Sequence, residues 1–129
     1  QNNYPYFVVD NEAGMEHISR GILPSMETAI LVSDCSRRGV QAVGRIAELI
    51  KECDMKPSRV GLIINRAPKA ELNSGILEEI RNQGLDLIGV VPQDEAVYEY
   101  DCDGKPTVTL PEDNPMRKAA FEIFDKLGL

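Results

Sequence analysis

The residues best suited to do chemistry begin with an aspartate at the end of an apolar run near the start of the sequence. Residues 6–10 read YFVVD, which is a strand pattern that ends at Asp10, and Asn11, Glu12 and Gly14 follow within the next four positions. In α/β proteins, the carboxyl end of a buried strand is a common place for groups that bind metal ions and phosphates. Asp10 is therefore a candidate metal- or phosphate-handling residue.

Polar residues also follow the three later apolar runs. They are Asp34-Cys35-Ser36-Arg37-Arg38, Asn65-Arg66-Ala67-Pro68 and Pro92-Gln93-Asp94-Glu95. Because ligands of open parallel sheets bind at the carboxyl ends of the strands, these groups are expected to gather at the same edge as Asp10. Asp34 has a second interpretation, as the N-cap of the following helix, and both stay open.

The elements that must position these residues alternate between short apolar runs and longer amphipathic stretches. Continuous apolar runs predict strands over residues 6–10, 29–33, 60–65 and 87–91. Helical spacing predicts helices over residues 37–53, 73–82, 94–100 and 114–127, with a loop over residues 101–113 in which residues 108–110 are extended. Unbroken apolar strands are typical of a parallel sheet covered by helices on both faces. The predicted fold is a single α/β domain over residues 1–129, with a mostly parallel, Rossmann-like sheet of about four strands.

The composition argues against several classes of function. The chain has 129 residues and a net charge of −7, with scattered basic residues, so neither nucleic-acid binding nor a membrane-surface patch is expected. No apolar run approaches the roughly 20 residues of a membrane span, and a cytoplasmic protein is the default expectation. Three widely spaced cysteines and a single histidine do not suit a metal cluster within one copy of the chain.

One pair of glycines has the spacing of a phosphate-binding loop but does not complete that motif. Four residues separate Gly39 and Gly44, but Arg45 and Ile46 stand where a lysine and a hydroxyl residue are required. The pair also lies inside a helical pattern, where small residues let a neighbouring element approach closely. A nucleotide-hydrolysing domain needs such a loop, and this sequence does not contain one. The sequence therefore indicates that this chain is one part of a larger protein.

The segment around Asp10 resembles a known family. Residues 8–20, VVDNEAGMEHISR, resemble the strand and switch segment of MinD/ParA-type ATPases. Within this segment, the sequence DNEAGMEH (residues 10–17) is similar to the corresponding sequence of the CooC subgroup, the nickel-insertion accessory ATPases of carbon monoxide dehydrogenase. Residues 33–39, 64–66 and 89–94 are similar to later segments of the same subgroup, in the same order. The resemblance runs over essentially the whole chain and implies half of a P-loop NTPase domain.

This resemblance implies roles for the first segment. Asp10 would hold a magnesium ion through a water molecule, and Asn11, Glu12 and Gly14 would belong to the switch that senses the γ-phosphate. Magnesium keeps several waters and uses few carboxylates, which suits a single aspartate.

The resemblance also implies an adenine site at two later strand ends. Asn65, with Arg66 beside it, would read the adenine edge, because a carboxamide pairs a donor with an acceptor as a purine does. Pro92, Gln93 and Asp94 would cover the base. Asn65 keeps an alternative role as a turn or cap residue at the end of its strand.

The family's other catalytic parts are expected upstream of Gln1: the glycine-rich loop with its lysine, the catalytic aspartate, and the cysteine pair that binds nickel or zinc between subunits. The chain is thus interpreted as the carboxy-terminal half of an ATPase. When complete, this ATPase would bind ATP and magnesium, form a homodimer and serve carbon monoxide dehydrogenase apoenzyme. This chain alone is not expected to hydrolyse ATP. An exposed sheet edge is expected where the missing half would join. Arg37 and Arg38 would face phosphate, a partner subunit or solvent.

Two other classes of function remain open. A receiver-like signalling domain would use Asp10 as its phosphoacceptor, but it needs a lysine after a late strand, where this chain has Pro92, Gln93 and Asp94. An interaction module would keep the fold and bind no nucleotide.

Overall fold

Strands and helices alternate along the part of the chain that the structure describes. The computed structural model describes residue 6 and residues 8–10, 26–52, 56–69 and 71–128. The strands are β1 (Thr28–Asp34), β2 (Arg59–Ala67) and β3 (Leu87–Pro92). The α-helices are α1 (Arg37–Glu52), α2 (Ser74–Asn82), α3 (Glu95–Cys102) and α4 (Pro115–Lys126), and a 3₁₀ helix spans Thr107–Thr109.

The three described strands form a parallel sheet in the order β1-β2-β3. Each strand is paired with the next strand of the sequence, and a helix connects the two, as parallel pairing requires. The pairing of β1 with β2 runs from Thr28 opposite Arg59 to Asp34 opposite Asn65. The prediction of an α/β fold with a parallel sheet is confirmed.

One face of the sheet, which we call the closed face, is covered by α1 and α2. Its core contains nine buried residues: Ala29, Leu31, Val40, Val43, Ile50, Leu62, Ile64, Ile76 and Ile80. The buried residues of α1 in this core, Val40, Val43 and Ile50, lie three and seven positions apart in succession, which places them on one side of the helix. The amphipathic pattern of residues 37–53 therefore predicted both the helix and the side that it buries.

The opposite face, which we call the open face, is covered by α4 alone among the described helices, and its core is smaller. The buried residues are Ile63, Ile88, Val91 and Ile123. Gly89 permits this packing, because a Cβ atom there would overlap the Ile123 side chain. Strand side chains alternate between faces, so Ile30 and Val32 point away from the closed face, and Val32 is 56% exposed.

Two helices begin at their predicted caps. The Asn73 side chain accepts a hydrogen bond from a backbone N–H of α2 at 2.7 Å, and Gly84 follows that helix with a φ of +65°. Asn114 accepts from two backbone N–H groups of α4, and Pro115 is the first residue of that helix. These residues satisfy backbone groups that a helix end leaves unpaired, which is why they mark helix ends in the sequence.

The strand predicted over residues 6–10 is not observed. The structure describes Tyr6 and residues 8–10 of this segment, and none of these four residues lies in a strand. Val8 is 84% exposed, and the Tyr6 hydroxyl donates to the carbonyl oxygen of Gly128 at 3.3 Å. An apolar run becomes a buried strand only where another strand pairs with it, and none of the three described strands does so. The described sheet therefore has three strands rather than about four.

The prediction of an extended segment over residues 108–110 is also wrong, because a 3₁₀ helix spans Thr107–Thr109. Thr109 donates from its N–H and from its hydroxyl to the carbonyl oxygen of Pro106, at 3.1 and 2.7 Å, which closes the 3₁₀ helix instead. Leu110 is buried and fixes the end of this turn in the protein. The predicted helix before it is confirmed as α3, which has Asp94 as its N-cap and continues to Cys102.

Candidate functional site

Three of the predicted strand-end groups lie at one edge of the sheet. The end of β1 is joined to β2 by the pairing of Asp34 with Asn65. The end of β2 is joined to β3 by the pairing of Ala67 with Pro92, and Gln93 N–H donates to the carbonyl oxygen of Ala67 at 2.9 Å. The parallel direction of the strands brings these ends together, as expected.

Asn65 ends the regular part of β2 at this edge. Its side-chain oxygen accepts a hydrogen bond from the backbone N–H of Arg66 at 2.9 Å. Arg66 is exposed and has a φ of +56°, the left-handed conformation that non-glycine residues rarely adopt. The local capping role of Asn65, which the sequence left open, is therefore present. The carboxamide has a second lone pair on its oxygen and two N–H donors besides.

Asp34 acts on the start of α1 through a serine. The Ser36 hydroxyl donates to the Asp34 carboxylate at 2.6 Å, and the same Ser36 oxygen accepts from Gly39 N–H at 3.0 Å. The interpretation of Asp34 as the N-cap is therefore wrong, because Ser36 makes the capping bond. A Cβ atom at Gly39 would overlap the Asp34 carboxylate, and one at Gly44 would overlap the Gln83 side chain. The prediction that these glycines allow close approach is confirmed.

Arg37 is engaged in a contact between two helices. Its guanidinium donates to the Glu79 carboxylate of α2 at 3.0 Å, where the Arg37 side chain is 60% exposed and that of Glu79 is 6% exposed. The side-chain hydrogen bond from Gln83 lowers the pKa of Glu79 most, and hydrogen bonds from Arg37 and Gln41 lower it further. This arrangement fixes α1 against α2. Arg38 is exposed and has no assigned role at the sheet edge.

The turn after β3 is held by side chains from two helix starts. The Asp94 carboxylate accepts from Val97 N–H, which caps α3, and from the Asn114 amide, with both donor–acceptor distances at 3.1 Å. Asn114 in turn caps α4. Capping preferences identify each residue separately, but no local pattern in the sequence reveals a bond between residues twenty positions apart. Sequence analysis therefore missed Asn114 as part of the candidate site.

The predicted magnesium and switch residues are only partly described. Asp10 is exposed and outside the three-stranded sheet, while Asn11, Glu12 and Gly14 lie outside the described residues. Within the described part of the chain, no group of three or more His, Cys, Asp or Glu side chains is arranged to hold a metal ion. The magnesium and switch roles therefore stay predictions.

None of the described helices is both long enough and apolar enough to cross a membrane.

The chain is similar in sequence to several ATP-binding proteins. No protein-family model matches it. An uncharacterized ATP-binding protein of Methanocaldococcus jannaschii is 34% identical over 125 residues, which cover 97% of this chain and 49% of that protein. The carbon monoxide dehydrogenase accessory protein CooC of Rhodospirillum rubrum is 26% identical, over 75% of this chain and 35% of its own. The septum site-determining protein MinD of Bacillus subtilis is also 26% identical, over 87% and 43%.

Solved structures define the class of fold. The cell division ATPase MinD of Pyrococcus furiosus has a TM-score of 0.63 and 19% identity, over 79% of this chain and 42% of that one. A ParA family ATPase of Chlorobium tepidum has a TM-score of 0.65 and 24% identity, over 88% and 45%. The described fold is thus that of part of a MinD/ParA-type ATPase. The relatives include ATP-binding proteins and MinD proteins. The chain spans about half the length of the Methanocaldococcus jannaschii relatives that it matches.

Proposed function

We propose that this chain is the carboxy-terminal part of a MinD/ParA-like ATPase and supplies its adenine-contacting and switch segments. The observation that carries the proposal is the junction of two strand ends. Asn65 and Arg66 at the end of β2 lie beside the Pro92–Gln93–Asp94 turn, because Gln93 N–H bonds to Ala67. Ligands of open parallel sheets bind at this edge, and the fold is that of ATP-binding relatives.

The polar groups at this junction fit an adenine ring. The Asn65 carboxamide can present a donor and an acceptor to a purine edge while its oxygen keeps the bond to Arg66 N–H. Pro92 offers an apolar surface, while Gln93 is exposed and Asp94 is half-buried beside it. A solved MinD of Pyrococcus horikoshii that is complexed with Mg-ADP supports ATP and magnesium as the parent's ligands.

The residues present suit the base better than the phosphates. Asp10 would hold magnesium through a water, with Asn11, Glu12 and Gly14 as the switch, and one carboxylate is a common protein contribution to a magnesium site. The sequence contains no glycine-lysine loop of the kind that cradles phosphates. Phosphoryl transfer depends on positioning and electrostatic stabilisation by such a loop, so this chain alone is proposed not to hydrolyse ATP.

The parent's client is proposed from the CooC resemblance. The sequence similarity to the carbon monoxide dehydrogenase accessory protein CooC supports a role as an accessory factor of that enzyme. We propose further, from the resemblance at residues 10–17, that the parent inserts nickel into carbon monoxide dehydrogenase apoenzyme in the cytoplasm. A solved complex of MinD with MinC shows that a protein of this fold binds another protein. A homodimer of the parent, with a nickel or zinc site between its subunits, belongs to the same proposal. Similarity to ATP-binding proteins favours this function over a receiver-like domain.

The proposal is tested by ATP binding to two proteins: this chain and the product of its complete gene. With magnesium and ATP, the complete product should gain thermal stability that rises with the logarithm of ligand concentration above the dissociation constant, whereas this chain should show no strong shift. A strong shift in this chain alone would contradict the half-domain interpretation. A complete gene without a glycine-lysine phosphate loop would contradict the ATPase.

The adenine contact is tested by a substitution that preserves the local bond. Asn65→Asp keeps an oxygen that accepts from Arg66 N–H but removes the amide donors, so ATP affinity of the complete product should fall by about tenfold, the cost of one good hydrogen bond. Asn82→Asp, at the exposed end of α2, is the matched control. Equal ATP affinity for Asn65→Asp and the control would remove Asn65 from the site.

A further inference from the structure

The bond between Asp94 and Asn114 connects the turn after β3 to the start of α4. The Asn114 amide nitrogen donates to Asp94 Oδ1 at 3.1 Å. Asn114 is 7% exposed, so water competes little for this bond. A hydrogen bond to a charged acceptor in such a place is stronger than one between neutral groups.

Asn114 is held in a single orientation by what lies at each end of its amide. Its oxygen accepts from Met116 N–H and Arg117 N–H, at 3.0 and 3.1 Å. Its nitrogen therefore points to Asp94, since a flipped amide would oppose two donors at one end and an acceptor at the other. The oxygen of the Asn114 carboxamide thus binds the start of α4, and its nitrogen binds Asp94 in the turn.

The turn is consequently fixed from both sides. On one side, Gln93 N–H bonds to the carbonyl oxygen of Ala67 at the end of β2. On the other side, Asp94 bonds to Val97 N–H of α3 and to Asn114. The bond to Asn114 is the described link between this turn and α4, which packs on the open face through Ile123.

We propose that Asn114 is a positioning residue for nucleotide binding: it holds the turn over the base without touching the ligand. This inference rests on the proposed function. The affinity for ATP then depends on a side chain that belongs to another helix and lies twenty residues further along the chain. Loss of this bond leaves Asp94 with only the bond from Val97 N–H on this side of the turn, so the turn is less ordered and its ordering becomes a cost of binding ATP.

Three variants separate the positioning role from the capping role. Asn114→Ser keeps a good N-cap oxygen but removes the amide donor to Asp94. Asn114→Asp also keeps the cap and places a carboxylate against a carboxylate. The exchanged pair Asp94→Asn with Asn114→Asp restores one donor and one acceptor between the two positions, and each new residue remains a favoured N-cap. Asn73→Ser, at the start of α2, is the matched capping control.

The measurement is ATP affinity with magnesium, on the complete gene product. Asn114→Ser should bind ATP about tenfold more weakly, as expected for the loss of one hydrogen bond to a charged group, and Asn114→Asp at least as weakly. The exchanged pair should bind ATP more tightly than Asn114→Asp alone, and Asn73→Ser should bind it as tightly as the unsubstituted gene product. Amide hydrogen exchange at Gln93 and Val97 should quicken in Asn114→Ser, with the circular dichroism of the helices retained.

Two negative results are distinguishable. If the natural protein binds ATP and Asn114→Ser binds it equally well, the positioning role is overturned while the proposed function stands. If the natural protein binds no ATP, the proposed function and this inference are overturned together. Should Asn114→Asp fail to fold, Asn114→Ser and the exchanged pair still decide the question.

Discussion

The two faces of the sheet are built from alternate residues of the same strands, yet they are covered to different extents. Among the described residues, the closed face has two helices and nine buried core residues, whereas the open face has one helix and four buried core residues. On β1 the difference is clearest: Leu31 is buried against the helices, and its neighbour Val32 is more than half exposed. A continuous apolar strand therefore shows that both faces are suited to burial, and the helices of the described chain cover only one of them fully.

The test with the largest expected effect compares two adjacent residues of β2, one on each face of the sheet. Ile64 lies on the closed face and is fully buried, while Ile63 lies on the open face and is 9% exposed. Ile64→Ala should lower the free energy of unfolding by about 4 kcal/mol, and Ile63→Ala by about 2 kcal/mol, because a site near solvent relaxes more easily after truncation. Urea unfolding of both variants measures the difference. Equal losses would show that the two faces are equally well packed.

A smaller effect is expected from the polar contact between α1 and α2. The hydrogen bonds from Gln83, Arg37 and Gln41 lower the pKa of Glu79 below its ordinary value of 4.5, so the carboxylate stabilises the fold above that pH. This stabilisation is lost as the pH falls through the lowered pKa. Glu79→Gln should therefore have a lower free energy of unfolding than the natural chain near neutral pH. This difference in unfolding free energy should disappear at acid pH. Its cost should stay below that of Ile64→Ala, since the Arg37 partner is largely exposed.

Urea unfolding midpoints between pH 3 and pH 7 check this expectation. Glu78→Gln, which removes an exposed charge from the same helix, is the matched control. A gap for Glu79→Gln that persists unchanged at acid pH would show that the carboxylate does not supply the pH-dependent part.

The smallest effect is expected on the uncovered part of the open face. Val32→Thr nearly preserves the shape of a side chain that is already exposed, so the free energy of unfolding of this chain should change by less than about 0.5 kcal/mol. Differential scanning calorimetry or urea unfolding is sufficient. A loss above 1 kcal/mol in this chain would mean that the open face is covered in solution.

The fold was largely predictable because its signals are local. The apolar runs that became β1, β2 and β3 are short and unbroken, and Asn73 and Asn114 mark helix starts through bonds to residues two or three positions away. Pro115 marks the same helix start as Asn114 through its fixed φ. The run at residues 6–10 is also short and apolar, but no strand of the described sheet is paired with it. Pairing is a long-range property, so composition alone could not separate the two cases.

The candidate site was predictable only where topology sets it. Parallel strands bring Asp34, Asn65 and Pro92 to one edge, and the order of elements predicted that much. The bonds that use these side chains were not predictable: Asp34 supports the cap made by Ser36, and Asp94 is bound by Asn114. The first bond is local, between residues two positions apart, but the sequence alone does not say which of the two side chains makes the cap. The second depends on how the turn after β3 packs against the start of α4, which local spacing does not encode.

The strand order has a consequence for how the chain folds during synthesis. Because β1, β2 and β3 lie side by side in the order in which they are made, each new strand meets its partner already in place, with no earlier strand waiting for a distant one. Both helices of the closed face precede β3, so that half of the core can assemble on the ribosome before α4 emerges. Ile88 and Val91 pack against Ile123 of α4, so among the described core residues they are buried late, after α4 has been made.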